Sequence, residues 1–231
     1  MGTVSRLAEW SNGLPYFLEM AAEVVRRCPT ARFPVVGDGS LRPELDRQAK
    51  RLGIAERVVF TGRVPDVQPF LAAMSVFAMS SLREGGPITV LEAMAMQRPV
   101  VATPVGMAPE LFDDGQAGVL LPAGDGAALA SAVLDLLADP PRAARMAQRG
   151  RELVASRFMS MPGCTALRRS TRSYSSRMMK DILVDQCPAD GKSGCRCVWS
   201  ATVLQAPCAC AGSFTERLNS LLHCRKCTPD W

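Results

Sequence analysis

Short apolar runs alternate with helical patterns along the first 158 residues of the chain. The runs at 33–36, 58–60 and 99–102 are almost continuously apolar, whereas 15–27 carries its apolar residues at helical spacing. Continuously apolar strands that alternate with helices are typical of a parallel sheet covered by helices on both faces. The pattern therefore predicts an α/β fold, with any ligand bound at the carboxyl ends of the strands.

The other predicted elements follow the same alternation. The predicted strands are 2–4, 33–36, 58–60, 76–80, 99–102 and 118–121, and the predicted helices are 15–27, 41–52, 67–74, 87–96, 106–112, 127–138 and 142–155. One residue departs from the pattern, because Pro34 falls inside a predicted strand and proline removes a hydrogen bond from the ladder. We expect that strand either to begin at Val35 or to be damaged at Pro34.

A glycine turn connects the strand at 76–80 to the helix that follows it. Gly85 and Gly86 break the apolar pattern, and Pro87 suits the first turn of a helix, where its missing N–H would have no partner. The arrangement places the N-terminal N–H groups of a helix beside two glycines, at the carboxyl end of a parallel strand. Such a position favours the binding of an anion, above all phosphate.

Two carboxylates flank this turn. Glu84 lies in the loop and Glu92 lies on the helix, with seven residues between them. A carboxylate beside a phosphate is electrostatically unfavourable unless it has another role, and carboxylate oxygens accept hydrogen bonds from sugar hydroxyls. The turn and its two acids therefore indicate a site for a sugar attached to a phosphate.

Charge and cysteine are concentrated near the end of the chain. Residues 1–160 hold 17 basic and 17 acidic side chains, whereas 161–231 hold 10 and 5 together with eight of the nine cysteines. The only histidine is His223, so a histidine base or histidine metal site is excluded from the first 158 residues. No apolar run approaches the roughly 20 residues of a membrane-spanning helix. Residues 159–231 show no sustained period, and we predict a Cys-, Arg- and Ser-rich tail that is disordered or not native to the fold.

Several motifs together carry a resemblance to a known family. They are Gly2-Thr3-Val4-Ser5-Arg6-Leu7, Val36-Gly37-Asp38-Gly39, Val59-Phe60-Thr61-Gly62-Arg63-Val64, Glu84-Gly85-Gly86-Pro87, Leu91-Glu92-Ala93-Met94-Ala95 and Arg98-Pro99-Val100-Val101-Ala102-Thr103. In this order they resemble the donor half of the retaining glycosyltransferases of family 4, which have the GT-B fold. The resemblance covers about residues 2–158. It implies that this part is a Rossmann-like, nucleotide-sugar-binding domain, the C-terminal half of such an enzyme.

The resemblance also implies a role for each matching residue. The candidate catalytic residues are Glu84, which would bind hydroxyls of the donor sugar, and Arg6, whose guanidinium would contact the diphosphate bidentately. Glu92 would bind the ribose hydroxyls. The donor-binding residues implied by the family are Gly37, Gly39, Arg63, Val64, Gly85, Gly86, Ile88, Thr89, Leu91 and Glu92. Cationic side chains and the helix dipole would stabilise the leaving diphosphate, so we expect neither a metal nor another cofactor.

The chain departs from the family pattern in two respects. The family usually has a lysine five residues after the arginine, followed by glycine, whereas this chain has Ser11 and then Asn12 before Gly13. We expect the missing charge to weaken the stabilisation of the leaving group. Family members also bind the acceptor in an N-terminal domain, which we expect to be absent here. By resemblance the protein would be cytoplasmic, peripheral association with the inner membrane face stays open, and no nucleic-acid partner is expected.

Other functions stay open beside this one. The chain could be a nucleotide-sugar-binding fragment without catalytic activity, or a sugar epimerase of the same architecture. It could also bind metal or nucleic acid through its tail, where C-x2-C and C-x-C pairs suggest zinc ligands. These candidate ligands are Cys195, Cys197, Cys208, Cys210, His223, Cys224 and Cys227. A shifted reading frame after codon 158 is a further hypothesis for the tail, because the composition changes abruptly there.

Overall fold

Strands alternate with helices through the part of the chain that the computed structural model describes, which is residues 1–84, 86, 88–112 and 115–158. The elements are β1 (Thr3–Val4), α1 (Leu14–Arg27), β2 (Phe33–Val36), α2 (Arg42–Arg51), β3 (Val58–Gly62), α3 (Gln68–Ala73), β4 (Phe77–Met79), α4 (Ile88–Ala95), β5 (Val100–Ala102), α5 (Ala108–Leu111), β6 (Val119–Leu120), α6 (Gly126–Ala138) and α7 (Pro140–Arg157). The predicted tail at 159–231, with its candidate zinc ligands, lies outside the described residues. None of these helices is long and apolar enough to cross a membrane.

The strands form two parallel three-stranded sheets that meet at Gly2. One sheet has the order β1-β2-β3 and the other β4-β5-β6. The N–H of Gly2 donates to the carbonyl of Val76 at 3.1 Å, and its carbonyl accepts from Ala78 at 2.9 Å. Since Gly2 bridges to β4, the strands lie in the order 3-2-1-4-5-6, which is that of a doubly wound sheet. The predicted α/β fold with a parallel sheet is thereby confirmed.

Apolar helix faces cover the strands and form the core. Phe17 on α1 is fully buried and meets Phe33 of β2 edge to face, with ring centroids 6.4 Å apart. Helix α1 packs against α6, and α4 packs against α7. This packing buries the continuously apolar strands, which explains why their sequences show no alternation of polar and apolar residues.

The structure differs from the sequence-based expectation at Pro34. Strand β2 begins at Phe33 and includes Pro34, so the strand does not start at Val35. The N–H of Phe33 donates to Arg57 on the β3 side, and the next N–H along a strand would point to the β1 side. There β1 has not yet begun, because its first residue Thr3 pairs with Val35. The N–H that proline lacks therefore faces a position outside the β1 ladder.

Helices α6 and α7 each begin earlier than their apolar pattern predicts. The side chain of Asp125 accepts a hydrogen bond from the N–H of Ala128 at 2.8 Å, and Asp139 accepts from Arg142 at 2.9 Å. Both aspartates therefore cap their helices. Pro140 then occupies the first turn of α7, where its missing N–H has no partner in any case.

Candidate functional site

A cleft opens at the carboxyl ends of the strands. It has a volume of about 420 Å³, and among the residues that line it are Arg6, Gly37, Arg63, Val64 and Thr89. All five were predicted from the sequence. The cleft lies near the point where β1 and β4 are neighbours but lead to strands on opposite sides, and ligands of doubly wound sheets bind at such a switch point. The fold therefore collects these residues at the place where it commonly binds ligands.

Two glycines allow the loop after β2 to pack against the loop after β1. A Cβ at Gly37 would lie 2.0 Å from the carbonyl oxygen of Ser5, and its φ of +135° is disfavoured for other residues. A Cβ at Gly39 would lie 2.3 Å from the carbonyl carbon of Leu7. Gly39 is thus needed for close backbone packing and does not line the cleft. Gly37 is needed for the same packing and also lines the cleft.

Three arginines in the loops after β1, β3 and β4 have no carboxylate partner within the described residues. They are Arg6, Arg63 and Arg83, and all three are exposed. Four arginines on helices α1 and α2, by contrast, form ion pairs with neighbouring acids, namely Arg26, Arg42, Arg47 and Arg51. These three guanidinium groups form no ion pair within the described residues and are available to an anionic ligand, although the carboxylate of Asp38 also lines the cleft.

Glu84 is held in the loop between β4 and α4. Its Oε2 accepts a long hydrogen bond of 3.5 Å from the hydroxyl of Ser81, whose own carbonyl accepts from Thr103 at 2.5 Å. Glu84 is partly exposed and does not line the 420 Å³ cleft. The structure therefore places this carboxylate on the neighbouring loop, where it remains accessible.

The start of α4 offers fewer free donors than the sequence predicts. The N–H of Ile88 donates to the carbonyl of Gly86 at 2.8 Å, so it is already satisfied. Gly86 and the side chain of Ile88 are exposed, whereas the side chain of Leu91 is buried in the core and only its backbone could face a ligand. Thr89 lines the cleft. The remaining predicted residue of this turn, Gly85, lies outside the described residues.

Glu92 is half-buried on α4, near the loop that connects β3 to α3. Burial raises the pKa of its carboxyl group above 4.5, and the negative charge of Asp66 raises it further. Asp66 lies in that loop and accepts a hydrogen bond from the N–H of Gln68 at 2.9 Å. Glu92 does not itself line the 420 Å³ cleft, whereas Arg63 and Val64, which come from the loop of Asp66, do.

Sequence reasoning missed the contacts made by residues 11–13. The side-chain amide of Asn12 donates to the carbonyl of Arg6. The carbonyl of Ser11 accepts from the N–H groups of Leu82 and Arg83 at 2.7 and 3.3 Å. These bonds join the loop after β1 to the loop that carries Glu84. Both acceptors are backbone carbonyls, which the sequence does not distinguish from any others.

The described residues contain no group of three or more His, Cys, Asp or Glu side chains arranged to hold a metal ion. A second groove, of about 350 Å³, lies beside β6 and is lined by Val119, Leu121, Asp135 and Arg142 among others. It contains none of the predicted site residues. The chemistry suggested by the sequence is thus concentrated at the cleft beside β1 and at the neighbouring β4–α4 loop.

The chain is similar to known glycosyltransferases in sequence and in fold. The family model described as glycosyl transferases group 1 matches residues 1–139. The GDP-mannose-dependent alpha-(1-6)-phosphatidylinositol monomannoside mannosyltransferase of Mycolicibacterium smegmatis is 39% identical over 148 residues, which are 60% of this chain and 39% of that enzyme. The chain spans between 18% and 40% of the length of the first curated relatives it matches.

Solved structures show the same fold. The C-terminal domain of a glycosyl transferase group 1 family protein from Francisella tularensis superposes with a TM-score of 0.64 at 24% identity, over 69% of this chain and 86% of that one. Anabaena Alr3699/HepE in complex with UDP superposes with a TM-score of 0.61 at 29% identity, over 68% of this chain and 44% of that one. The same Anabaena protein has been solved in complex with UDP-glucose. Because the family model covers more than half of the sequence, this chain belongs to the glycosyl transferases group 1 family.

Proposed function

We propose that residues 1–158 are the donor-binding domain of a retaining glycosyltransferase of family 4, and that they bind a nucleoside diphosphate sugar. The observation that carries this proposal is the cleft at the strand switch point, which Arg6 and Arg63 line together with Gly37 and Asp38, and in which neither arginine forms an ion pair within the described residues. A diphosphate requires such cations, and guanidinium groups bind phosphate oxygens bidentately. The complexes of a relative with UDP and UDP-glucose support the same ligand class.

The bound donor would lie across the carboxyl ends of β1, β2 and β4. Arg6 would contact the diphosphate, and Glu92 would accept hydrogen bonds from the ribose hydroxyls. Glu84, on the loop after β4, would accept hydrogen bonds from the hydroxyls of the sugar. The loop of Arg63 and Val64 would adjoin the base. Each acid therefore has a neutral hydroxyl as its partner, which avoids direct contact between a carboxylate and the diphosphate.

In the transfer reaction, the bond between the anomeric carbon and the diphosphate oxygen breaks. The electron pair stays on the diphosphate. An acceptor hydroxyl forms the new bond on the same face of the sugar, and its proton passes to an oxygen of the departing diphosphate. Arg6 would stabilise the charge that develops on the leaving group, and placed donors of this kind contribute about 3–4 kcal/mol to a transition state. The residues present supply this charge stabilisation without a metal ion or another cofactor.

A complete reaction also needs a site for the acceptor. The chain spans less than half the length of its first curated relatives, so we propose that a further domain supplies the acceptor site, as in the GT-B fold. We place the complete protein in the cytoplasm. Peripheral association with the inner membrane face is part of this proposal.

The alternative function is donor binding without transfer. It is favoured by Ser11, because this uncharged residue stands where the family usually has a lysine, and the leaving group would then lack one cation. A transfer or donor-hydrolysis assay separates the two functions. Release of UDP from UDP-glucose supports catalysis, and binding without release supports the alternative.

Calorimetric titration with UDP, UDP-glucose, GDP and GDP-mannose tests the proposed function. We expect the wild-type chain to bind one nucleotide class. Arg6→Ala should lower that affinity about 10- to 100-fold, because hydrogen bonds to a charged group contribute about 1.5–3 kcal/mol. Glu84→Ala should weaken the binding of the nucleotide sugar but not the binding of the nucleotide alone. Arg26→Ala, which removes an exposed arginine from α1, is the matched control. If none of the four compounds binds to the wild-type chain, the proposed function is wrong.

A further inference from the structure

Residues 11–13 form the end of the loop that carries Arg6, and they contact both Arg6 and the loop that carries Glu84. Asn12 donates from Nδ2 to the carbonyl oxygen of Arg6. Ser11 accepts through its carbonyl from Leu82 and Arg83, immediately before Glu84. The segment therefore links the backbone of Arg6 to the loop of Glu84, although neither link involves a group that would touch the donor.

The segment is itself fixed by the backbone around it. The N–H of Asn12 donates to the carbonyl of Glu9 at 3.2 Å, and that of Gly13 donates to Trp10 at 3.0 Å. Gly13 adopts a φ of +64°, and a Cβ there would lie 1.7 Å from the carbonyl oxygen of Ser80. Asn12 thus extends from a short 3-10 turn that lies directly against the end of β4, which gives its side chain a defined starting point.

Arg6 needs such a fixed contact. Its side chain is exposed and forms no ion pair within the residues that the structure describes. The N–H of Ser5 donates to Val36, and that of Leu7 donates to Asp38, each at 2.9 Å. These bonds fix the neighbours of Arg6 on the β2 side. Two described side chains donate to the carbonyl of Arg6 itself: the hydroxyl of the adjacent Ser5, at 3.2 Å, and the amide of Asn12, which is the one that comes from outside the residues next to Arg6.

We propose that Asn12 is a positioning residue that orients the backbone of Arg6, so that the guanidinium meets the donor diphosphate. The inference rests on the proposed function. A carboxamide suits this role because it donates to a carbonyl without adding negative charge beside the diphosphate. A fixed backbone also reduces the number of conformations that Arg6 loses when it binds, which preserves affinity.

Calorimetry with UDP and GDP, and with the corresponding nucleoside, tests the role of Asn12. We expect Asn12→Ala to weaken the binding of the nucleoside diphosphate about three- to tenfold, as the loss of one neutral hydrogen bond would do. The affinity for the nucleoside should be unchanged. The double variant Asn12→Ala/Arg6→Ala should bind no more weakly than Arg6→Ala alone, because an absent guanidinium cannot be positioned.

Gln48→Ala is the matched control for this experiment. Gln48 also donates from a side-chain amide to a backbone carbonyl, that of Pro15 at 3.2 Å, but it connects α2 to the start of α1. We expect it to leave the affinity for the diphosphate within twofold of the wild type. The inference is overturned if Asn12→Ala binds UDP or GDP as tightly as the wild type, or if it weakens the binding of nucleoside and nucleoside diphosphate equally. It is also overturned if the losses of affinity in Asn12→Ala and Arg6→Ala add fully in the double variant. If the wild-type chain binds neither nucleotide, the proposed function itself fails.

Discussion

The carbonyl oxygen of Ser11 accepts a hydrogen bond from the N–H group of Leu82 at 2.7 Å. This bond joins the loop after β1 to the loop after β4, at the edge where both strands end. The two loops carry Arg6 and Glu84, so the relative position of the proposed catalytic residues depends on a contact between backbone groups.

Gly13→Ala should destabilise the fold more than Gly53→Ala. Both glycines have left-handed backbones, with φ of +64° and +70°, so alanine costs about 1–2 kcal/mol at each. Only at Gly13 would the new Cβ also meet another atom, the carbonyl oxygen of Ser80 at 1.7 Å, whereas nothing lies within 4 Å at Gly53. We expect an additional loss of about 1–3 kcal/mol, measured by urea unfolding. Equal losses in the two variants would contradict the close packing of the two loops.

Arg6→Lys should bind the nucleotide with an affinity between those of the wild type and Arg6→Ala. Lysine keeps the charge but cannot offer the two parallel N–H groups with which a guanidinium contacts a phosphate. Calorimetry with UDP and GDP gives the three affinities. A lysine variant that binds as tightly as the wild type would show that Arg6 acts only as a charge, and would exclude bidentate contact.

Ser11→Lys should strengthen nucleotide binding. A lysine here would add a cation to the loop of Arg6, worth about 1–2 kcal/mol at low salt, or roughly five- to 30-fold in affinity. The gain should shrink as salt increases, because the added attraction is electrostatic. Ser131→Lys adds the same charge at an exposed position of α6 and should leave the affinity unchanged. An equal gain in both variants would indicate a general charge effect.

Glu92→Gln should stabilise the free protein at neutral pH and weaken nucleotide binding. The pKa of Glu92 is raised above 4.5 in the fold, first by burial and then by Asp66. The folded state therefore holds its proton more tightly than the unfolded chain does. Stability is gained as the pH falls through the raised pKa towards 4.5, and it is lost as the pH rises. In Glu92→Gln this pH dependence should disappear.

The same carboxylate must be charged to accept two hydroxyl hydrogen bonds at full strength. Affinity for UDP-glucose or GDP-mannose, whose diphosphate keeps its charge over this range, should therefore fall as the pH decreases through the raised pKa of Glu92, and should change little with pH in Glu92→Gln. Urea unfolding and calorimetry between pH 5 and pH 7.5 measure both trends. Glu110→Gln, which removes an exposed acid from α5, is the control. A nucleotide affinity that is unchanged in Glu92→Gln would contradict the role of Glu92 at the ribose.

The architecture was predictable because burial on both faces leaves a direct trace in the sequence. Strands β4 and β5 consist of apolar residues alone, and the helices between strands keep their helical spacing. The early start of α7 also had a signal, since an aspartate followed by proline is typical of a helix N-terminus, as Asp139 and Pro140 show. Such local signals needed no knowledge of the fold.

Long-range contacts were not predictable in the same way. The switch point depends on Gly2 pairing beside β4, and neither partner carries a side-chain pattern that identifies the other. The link between Ser11 and Leu82 uses backbone groups that every residue has. The pKa of Glu92 depends on Asp66, which lies far away in the sequence. Sequence motifs therefore led to residues that line the cleft, such as Arg6 and Arg63, but the arrangement of these residues was not predictable.

A crystal structure of the chain with bound UDP tests the central claim most directly. We predict that the diphosphate lies in the cleft beside β1, with its oxygens about 2.8 Å from the guanidinium of Arg6. The ribose hydroxyls should face Glu92. Nucleotide bound in the groove beside β6, near Asp135 and Arg142, or an Arg6 side chain directed away from the diphosphate, would contradict this account.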